Sequence, residues 1–209
     1  MKMRFDKDVK KLEADFYQRK NVVQTAKELL GKIIVTQFDG NITAARIAET
    51  EAYNGIIDKA SHAFGNRRTA RTEIMYRVGG TAYVYLCYGM HHLFNVVTNE
   101  EEIPHAVLIR AAEPLAGLDI MMARTKKSKT DITITKGPGN VSKALGISTH
   151  HNGIHLSGDD IYIVDDGFRL QKNQIIITPR IGVDYAGEDA LLPYRFFIKD
   201  NPYVSGRKS

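Results

Sequence analysis

Lys32-Ile33-Ile34-Val35-Thr36-Gln37-Phe38-Asp39-Gly40-Asn41-Ile42-Thr43-Ala44-Ala45-Arg46-Ile47-Ala48-Glu49-Thr50-Glu51-Ala52-Tyr53 is the stretch that decides the fold. Residues 32–38 are rich in β-branched and aromatic side chains and read as a strand. Asp39-Gly40 suits a tight turn, because the favoured hairpin turn takes positive φ at its central positions. Residues 41–53 read as the return strand. Side chains alternate along a strand, so Glu49, Glu51 and Tyr53 project from one face, neighbours about 7 Å apart at roughly 3.3 Å rise per residue. A carboxylate beside an aromatic ring suits a site that holds a flat ring and activates a water next to it.

Upstream, Asn21 reads as an N-cap, Val22, Val23, Ala26, Leu29 and Leu30 as an apolar stripe, and Gly31 as a stop, which predicts a helix over 22–30. A more charged N-terminal helical segment is expected within 1–20, over about 6–20, with Val9, Leu12 and Phe16 inward. Downstream, 54–80 reads as loop with a short helix near 72–77. Strands are expected at 81–87, 93–98 and 106–112, a helix at 115–124, and a short helix at 140–145 after Gly137-Pro138-Gly139. Further strand-like runs fall at 160–164, 175–179 and 194–198. Strands outnumber helices and hairpins dominate the connections, which predicts an α+β fold with a mostly antiparallel sheet. No linker or repeat divides the 209 residues, so one domain over 1–209 is expected.

Hydrophobic residues make up 43% and charged ones 25%, the composition of a globular domain with a proper core. Lys plus Arg number 29 against 24 Asp plus Glu, a net +5 that favours a nucleic-acid partner. Arg124, Lys126, Lys127, Lys129, Lys136 and Lys143 face only Asp131 as an opposing charge in their stretch, although a solvated surface run has the same appearance. The single cysteine, Cys87, excludes an intramolecular disulfide and a cysteine-based zinc site. No apolar run approaches the ~18 residues of a membrane span and the N-terminus lacks an apolar signal core, so a cytoplasmic protein with no membrane association is expected.

His62 lies nine residues after Tyr53, and the tyrosine-rich run 83–88 could supply a second wall to the same site. Tyr88, Gly89 and Met90 fall between two predicted strands. Large apolar side chains at such a tip are either covered by another part of the fold or form a wedge that enters a DNA minor groove in place of a base.

These segments resemble a known family. Arg46-Ile47-Ala48-Glu49-Thr50-Glu51-Ala52-Tyr53, Ser61-His62, Thr81-Ala82-Tyr83-Val84-Tyr85-Leu86-Cys87-Tyr88-Gly89-Met90, Phe94-Asn95 and Ala106-Val107-Leu108-Ile109-Arg110-Ala111-Ala112-Glu113-Pro114 are similar to motifs of the alkyladenine (3-methyladenine) DNA glycosylases. The likeness continues through Gly137-Pro138, Ala144-Leu145-Gly146-Ile147, Arg180-Ile181-Gly182-Val183, Pro193-Tyr194-Arg195-Phe196 and Asn201-Pro202-Tyr203-Val204-Ser205. It covers the chain from about residue 20 onward and is closest to the compact bacterial type.

The resemblance implies one domain with a curved antiparallel sheet and a protruding hairpin. It implies a monofunctional enzyme that flips alkylated or deaminated purines out of double-stranded DNA and excises them by water attack in base excision repair. The lesion class is 3-methyladenine, 7-methylguanine, hypoxanthine and ethenoadenine. Carried over by residue, Glu51 is the carboxylate that activates water and Arg110 the arginine near that water and the DNA backbone. Tyr53, His62 and Tyr85 sandwich the flipped base, Asn95 excludes the exocyclic amine of guanine, and Tyr88 intercalates. No cofactor or metal is implied, and a monomer associated with the nucleoid through DNA binding is expected.

Chemistry agrees: breaking an N-glycosidic bond builds positive charge on the sugar, which a nearby carboxylate stabilises while taking a proton from water. The rival reading is a damaged-DNA binder without activity, which would have no need of that carboxylate. A lyase is disfavoured because no lysine lies inside the pocket motifs. Glu49 competes with Glu51 on spacing alone; only the motif favours Glu51, leaving Glu49 a structural partner for Arg46 or Lys32. Gly137-Pro138-Gly139 reads as a turn before a helix N-terminus. His150, His151 and His155 lack a suitably placed carboxylate and read as surface side chains, and Cys87 as packing.

Overall fold

The structure, a computed structural model, describes residues 9–206. In chain order it contains β1 (Lys10–Lys11), α1 (Ala14–Tyr17), α2 (Val22–Leu29), β2 (Ile33–Phe38), β3 (Asn41–Tyr53), β4 (Ala82–Cys87), β5 (His91–Thr98), β6 (His105–Ala116), α3 (Leu118–Thr125), α4 (Pro138–Leu145), β7 (Ile161–Asp165), β8 (Ile175–Thr178) and β9 (Arg195–Ile198), joined by short 3-10 turns. The strands form one open sheet in the order β1-β7-β2-β3-β6-β5-β4, with β9 bridging β3 and β8. Every named pairing is antiparallel, as the run of hairpins predicts.

The β2–β3 hairpin closes at Phe38 opposite Asn41, with Asp39 and Gly40 at φ 51° and 75°, the left-handed turn that this dipeptide favours. β3 is long enough to change partners. Its first half pairs with β2 as far as Arg46, and its Glu49–Glu51 segment pairs with β9 instead. β6 runs along its other side throughout.

The two faces of the sheet differ in kind. Ala52 of β3, Val107 and Ile109 of β6, Phe94 and Val96 of β5 and Ala82 and Val84 of β4 are buried in one cluster with α2, α3 and α4 side chains. Thr50 belongs to this face, its hydroxyl donating to the Ala26 carbonyl of α2 at 2.8 Å. By alternation, Glu49, Glu51, Tyr53, Tyr83, Tyr85, Asn95 and Leu108 belong to the other face. The helices therefore take the apolar face, and the polar and aromatic face is left for the segments 54–80 and 180–194 to frame.

The N-terminal helix expected over 6–20 is replaced by a short strand and a single helical turn; its residues 6–8 lie outside the described region. Lys10 and Lys11 pair with Asp165 and Val164, and the Leu12 N–H donates to the Ile163 carbonyl at 2.8 Å. The unpaired edge of β7 satisfies these backbone groups, whereas a short isolated helix must bear its nucleation cost unaided. Leu12 and Phe16 still pack against the main core. The helix expected from 115 starts at Leu118, because β6 continues past Ala112 to Ala116 opposite Ala44. The switch occurs at Gly117, at φ 71°, where a Cβ would stand 2.4 Å from the Ile42 carbonyl oxygen. Residues 54–80 carry three short 3-10 turns, the last at Glu73–Tyr76.

Candidate active site

A row of directly opposed residues crosses the polar face. Tyr83 pairs with Asn95, Asn95 with Leu108, Leu108 with Glu51, and Glu51 with Arg195. With strands about 4.8 Å apart, Tyr83 and Glu51 stand roughly 14 Å apart along this row. Arg110 is aimed by a β-bulge. The β3–β6 register passes from Glu49 opposite Ala111 to Thr50 opposite Ile109, so Arg110 is the extra residue. From there its Nε donates to Glu49 Oε1 at 3.1 Å and its Nη1 to Glu51 Oε2 at 3.2 Å.

Glu51 has no exposed surface. Its Oε2 also accepts from the Tyr53 hydroxyl at 2.9 Å, and its Oε1 from the Ile181 N–H at 2.8 Å. An ionised carboxylate offers about four acceptor positions, so one remains, on Oε1. Burial raises the Glu51 pKa above the usual carboxylate range; Arg110, the Ile181 N–H and Tyr53 oppose that shift, and the Glu49 charge adds to it. Glu49 is equally buried and accepts from Arg195 Nε at 2.7 Å and the Ser205 N–H at 2.6 Å. The expected pairing of Glu49 with Arg46 or Lys32 does not occur. Arg46 binds Asp166 and Lys32 binds Asp165, because β2 has left β3 before Glu49 and β9, carrying Arg195, has replaced it.

Tyr53, Arg110 and Ile181, the partners of Glu51, line a cavity of about 570 Å³ together with His62, Tyr83, Tyr85, Asn95 and Leu108. His62 enters from the 54–66 loop. Its Nδ1 is 2.8 Å from the Tyr83 hydroxyl, and its ring meets that of Tyr85 edge to face at 4.8 Å. His62, Tyr83 and Tyr85 thus build one aromatic wall, with Tyr53 standing apart from them at the carboxylate. Burial, together with Arg71 and Arg67, lowers the His62 pKa to about 4, which leaves a neutral ring at neutral pH. The Asn95 amide is clamped, its Nδ2 donating to the carbonyls of Tyr83 at 3.1 Å and Leu93 at 3.4 Å.

Tyr88 lies in the turn between β4 and β5, where the Met90 N–H donates to the Cys87 carbonyl at 3.1 Å. Tyr88 and Gly89 both have positive φ, 50° and 69°. Glycine and asparagine take this conformation readily, and a bulky aromatic does so at a cost. Tyr88 is 87% exposed and Met90 70%, so no other part of the described fold covers this tip. Gly137, the N-cap of α4, and Pro138, Gly139 and Asn140 of its first turn line the same cavity, Gly139 lying against the His91 side chain that follows the tip. Cys87 is half-buried on the cavity rim, not simply packed in a core.

Of the basic run, Arg124 donates to the Ala144 carbonyl and Lys127 to Thr133, while Lys126, Lys129 and Lys143 are exposed. His151 stacks on Phe38 and His155 bonds Ser157; among the described residues no group of three or more metal-ligating side chains assembles. Tyr83 stands in the second wall that the tyrosine-rich run 83–88 predicted, whereas sequence reasoning gave Arg180 and Arg195 no role in the site. Arg180 is fully buried against Asp58 at 2.5 and 2.8 Å, its guanidinium lying over the Tyr53 ring at 4.9 Å. The residue before Ile181 is thereby fixed, and with it the N–H that reaches Glu51. The Arg180-Ile181-Gly182 run was the available signal; the partner, 122 residues away, was not.

Comparison with known proteins adds an independent finding. The family model described as methylpurine-DNA glycosylase matches residues 15–202. A protein of Desulfitobacterium hafniense (strain Y51) is 45% identical over 204 residues, covering 94% of this chain and 99% of its own length. One from Clostridium perfringens (strain 13 / Type A) is 44% identical over 203 residues, covering 93% and 98%. A third, from Chlamydia felis (strain Fe/C-56), is 47% identical over 188 residues, covering 90% and 95%. All three carry the name "Putative 3-methyladenine DNA glycosylase".

Proposed function

The chain belongs to the methylpurine-DNA glycosylase family, and on that premise we propose that it flips a damaged purine nucleotide out of duplex DNA and hydrolyses its N-glycosidic bond with a water held by Glu51. The observation that carries this reading is a buried carboxylate with three of its roughly four acceptor positions taken, whose partners Tyr53, Arg110 and Ile181 all line an aromatic cavity. In the reaction the water oxygen bonds the anomeric carbon, its proton passes to Glu51, and the bonding pair of the broken C–N bond leaves with the base. Positive charge developing on the sugar is stabilised by the carboxylate, whose raised pKa makes it a better base near neutral pH.

The base itself would rest against Tyr85, His62 and Tyr53. Alkylated purines carry positive charge or weakened bonds, and a neutral His62 offers them an aromatic surface without repulsion. Asn95 would meet the purine edge and Tyr88 would fill the gap left in the duplex. The lesion class is 3-methyladenine, 7-methylguanine, hypoxanthine and ethenoadenine, and the enzyme acts as a single-domain monomer. The net charge of +5 favours phosphate contact.

The test is release of free base from duplexes each carrying one of these lesions. The reading expects free purine and an intact abasic strand, with no covalent adduct on borohydride treatment. Tight lesion binding without base release would make the protein a binder, and a trapped adduct would make it a lyase.

A further inference from the structure

Behind Glu51 lies a second buried carboxylate, and the water-activation reading gives it no role. Glu49 accepts from Arg110 Nε, Arg195 Nε and the Ser205 N–H. Arg195 Nη2 also donates to the Ser205 carbonyl at 2.7 Å, and Arg110 Nη2 to the Ser205 hydroxyl at 3.4 Å. Two carboxylates and two guanidinium groups are thus buried together and fastened to the C-terminal segment. Apolar packing of the same volume is often as stable as such an assembly, so stability alone does not account for it.

The geometry points to Glu49 as a positioning residue for the hydrolysis: by engaging Arg110 through Nε, it prevents that guanidinium from closing as a bidentate fork on Glu51, and so keeps the last acceptor position of Glu51 open for water. Arginine and carboxylate pair most strongly through two parallel bonds. With Glu49 present, Arg110 meets Glu51 through Nη1 alone. Without it, only the long bond from Nη2 to the Ser205 hydroxyl opposes a turn of the guanidinium onto both carboxylate oxygens. Glu49 also adds negative charge beside the site where the sugar becomes positive. The charged and titratable groups facing Glu51 are Arg110, Glu49, Tyr53, Arg180 and Tyr185, and Arg195 faces Glu49 from β9.

This inference rests on the assignment of the water to Glu51. Its test is the single-turnover rate of base release against pH for the wild type, Glu49→Gln and Arg195→Gln, on a lesion that the wild type excises. Release should rise with pH as the base loses its proton. Glu49→Gln gives Arg110 wholly to Glu51, so its plateau should fall tenfold or more and its acid limb should move to lower pH, by on the order of one unit. Arg195→Gln leaves Glu49 less neutralised, so its limb should move to higher pH. Loss of stability lowers the amount of active enzyme and cannot move the two limbs in opposite directions. Where a neutral variant fails to fold, Glu49→Asp and Arg195→Lys, which retain charge, should give smaller shifts of the same signs. Limbs unmoved, or moved in the same direction, in folded variants would overturn the proposal. A wild type that releases no base from any lesion would instead overturn the function on which it rests.

Discussion

Asn95 and Tyr83 face each other across β4 and β5, and the Asn95 side chain donates to the Tyr83 carbonyl at 3.1 Å, which fixes an amide in the cavity wall where a flexible one would have yielded. A fixed group discriminates by shape. Purines differ at C2, where guanine carries an amino group and adenine and hypoxanthine carry hydrogen. A side chain that cannot rotate away disfavours the bulkier edge. Asn95→Ser should raise excision of guanine-type bases relative to hypoxanthine, measured as a ratio on matched duplexes. A lower ratio would mean that Asn95 accepts the amino group instead of excluding it.

Tyr88 should show a trade between stability and binding. A left-handed conformation costs a side chain of this kind about 1–2 kcal/mol, and asparagine tolerates it better. Tyr88→Asn should therefore stabilise the fold by about 0.5–1 kcal/mol in urea unfolding. It should also weaken binding to lesions in duplexes more than to the same lesions in single strands, which need no extrusion from a stack. Equal losses on both substrates would remove the wedge from the account.

How much of this could be read in the chain divides by distance. The β2–β3 hairpin and α2 are written in local signals: alternation closed by Asp39-Gly40, and an apolar stripe capped by Asn21, whose side chain accepts from the Gln24 N–H at 3.0 Å. The common face of Glu49, Glu51 and Tyr53 followed from the same alternation. The aim of Arg110 did not, because it depends on a bulge between two strands and no local pattern announces one. Nor did the partners of Glu49, since Arg195 and Ser205 lie 146 and 156 residues away. The N-terminal strand was hidden for the same reason, its pairing with β7 outweighing a helical pattern legible within residues 6–20.

His62 should leave the acid limb of activity in place. Its pKa of about 4 keeps it neutral near neutral pH, so a limb set by Glu51 should lie at the same pH in His62→Gln, with a lower plateau from lost stacking. Stability should respond differently. Between the ordinary value of 6.5 and about 4 the unfolded chain binds a proton that the folded chain does not, so acidification through that window destabilises the wild type. His62→Gln should lose less stability over the same window. Unfolding free energies at a series of pH values check this, and identical slopes would contradict it.

Arg180 and Asp58 should be needed for the fold as well as the site. Removing one partner of a fully buried pair costs about 3–5 kcal/mol, because the other charge is left uncompensated. Asp58→Asn should lower stability by that amount in urea unfolding. It should also slow base release, since Ile181 would lose the anchor that presents its N–H to Glu51. A loss below about 1 kcal/mol would mean that the guanidinium is held by its other bonds, to the carbonyls of Ala52 and Asp189.

Activation of the attacking water by Glu51 is separated from binding by Glu51→Gln. The substitution preserves shape and removes the base, and general base catalysis of this kind contributes about 10²–10⁴-fold. Measured by single-turnover release of free purine from a lesion-bearing duplex, with binding followed in parallel, Glu51→Gln should hold the lesion about as tightly as the wild type and release base at least ~10²-fold more slowly. Release at a near wild-type rate would contradict the account.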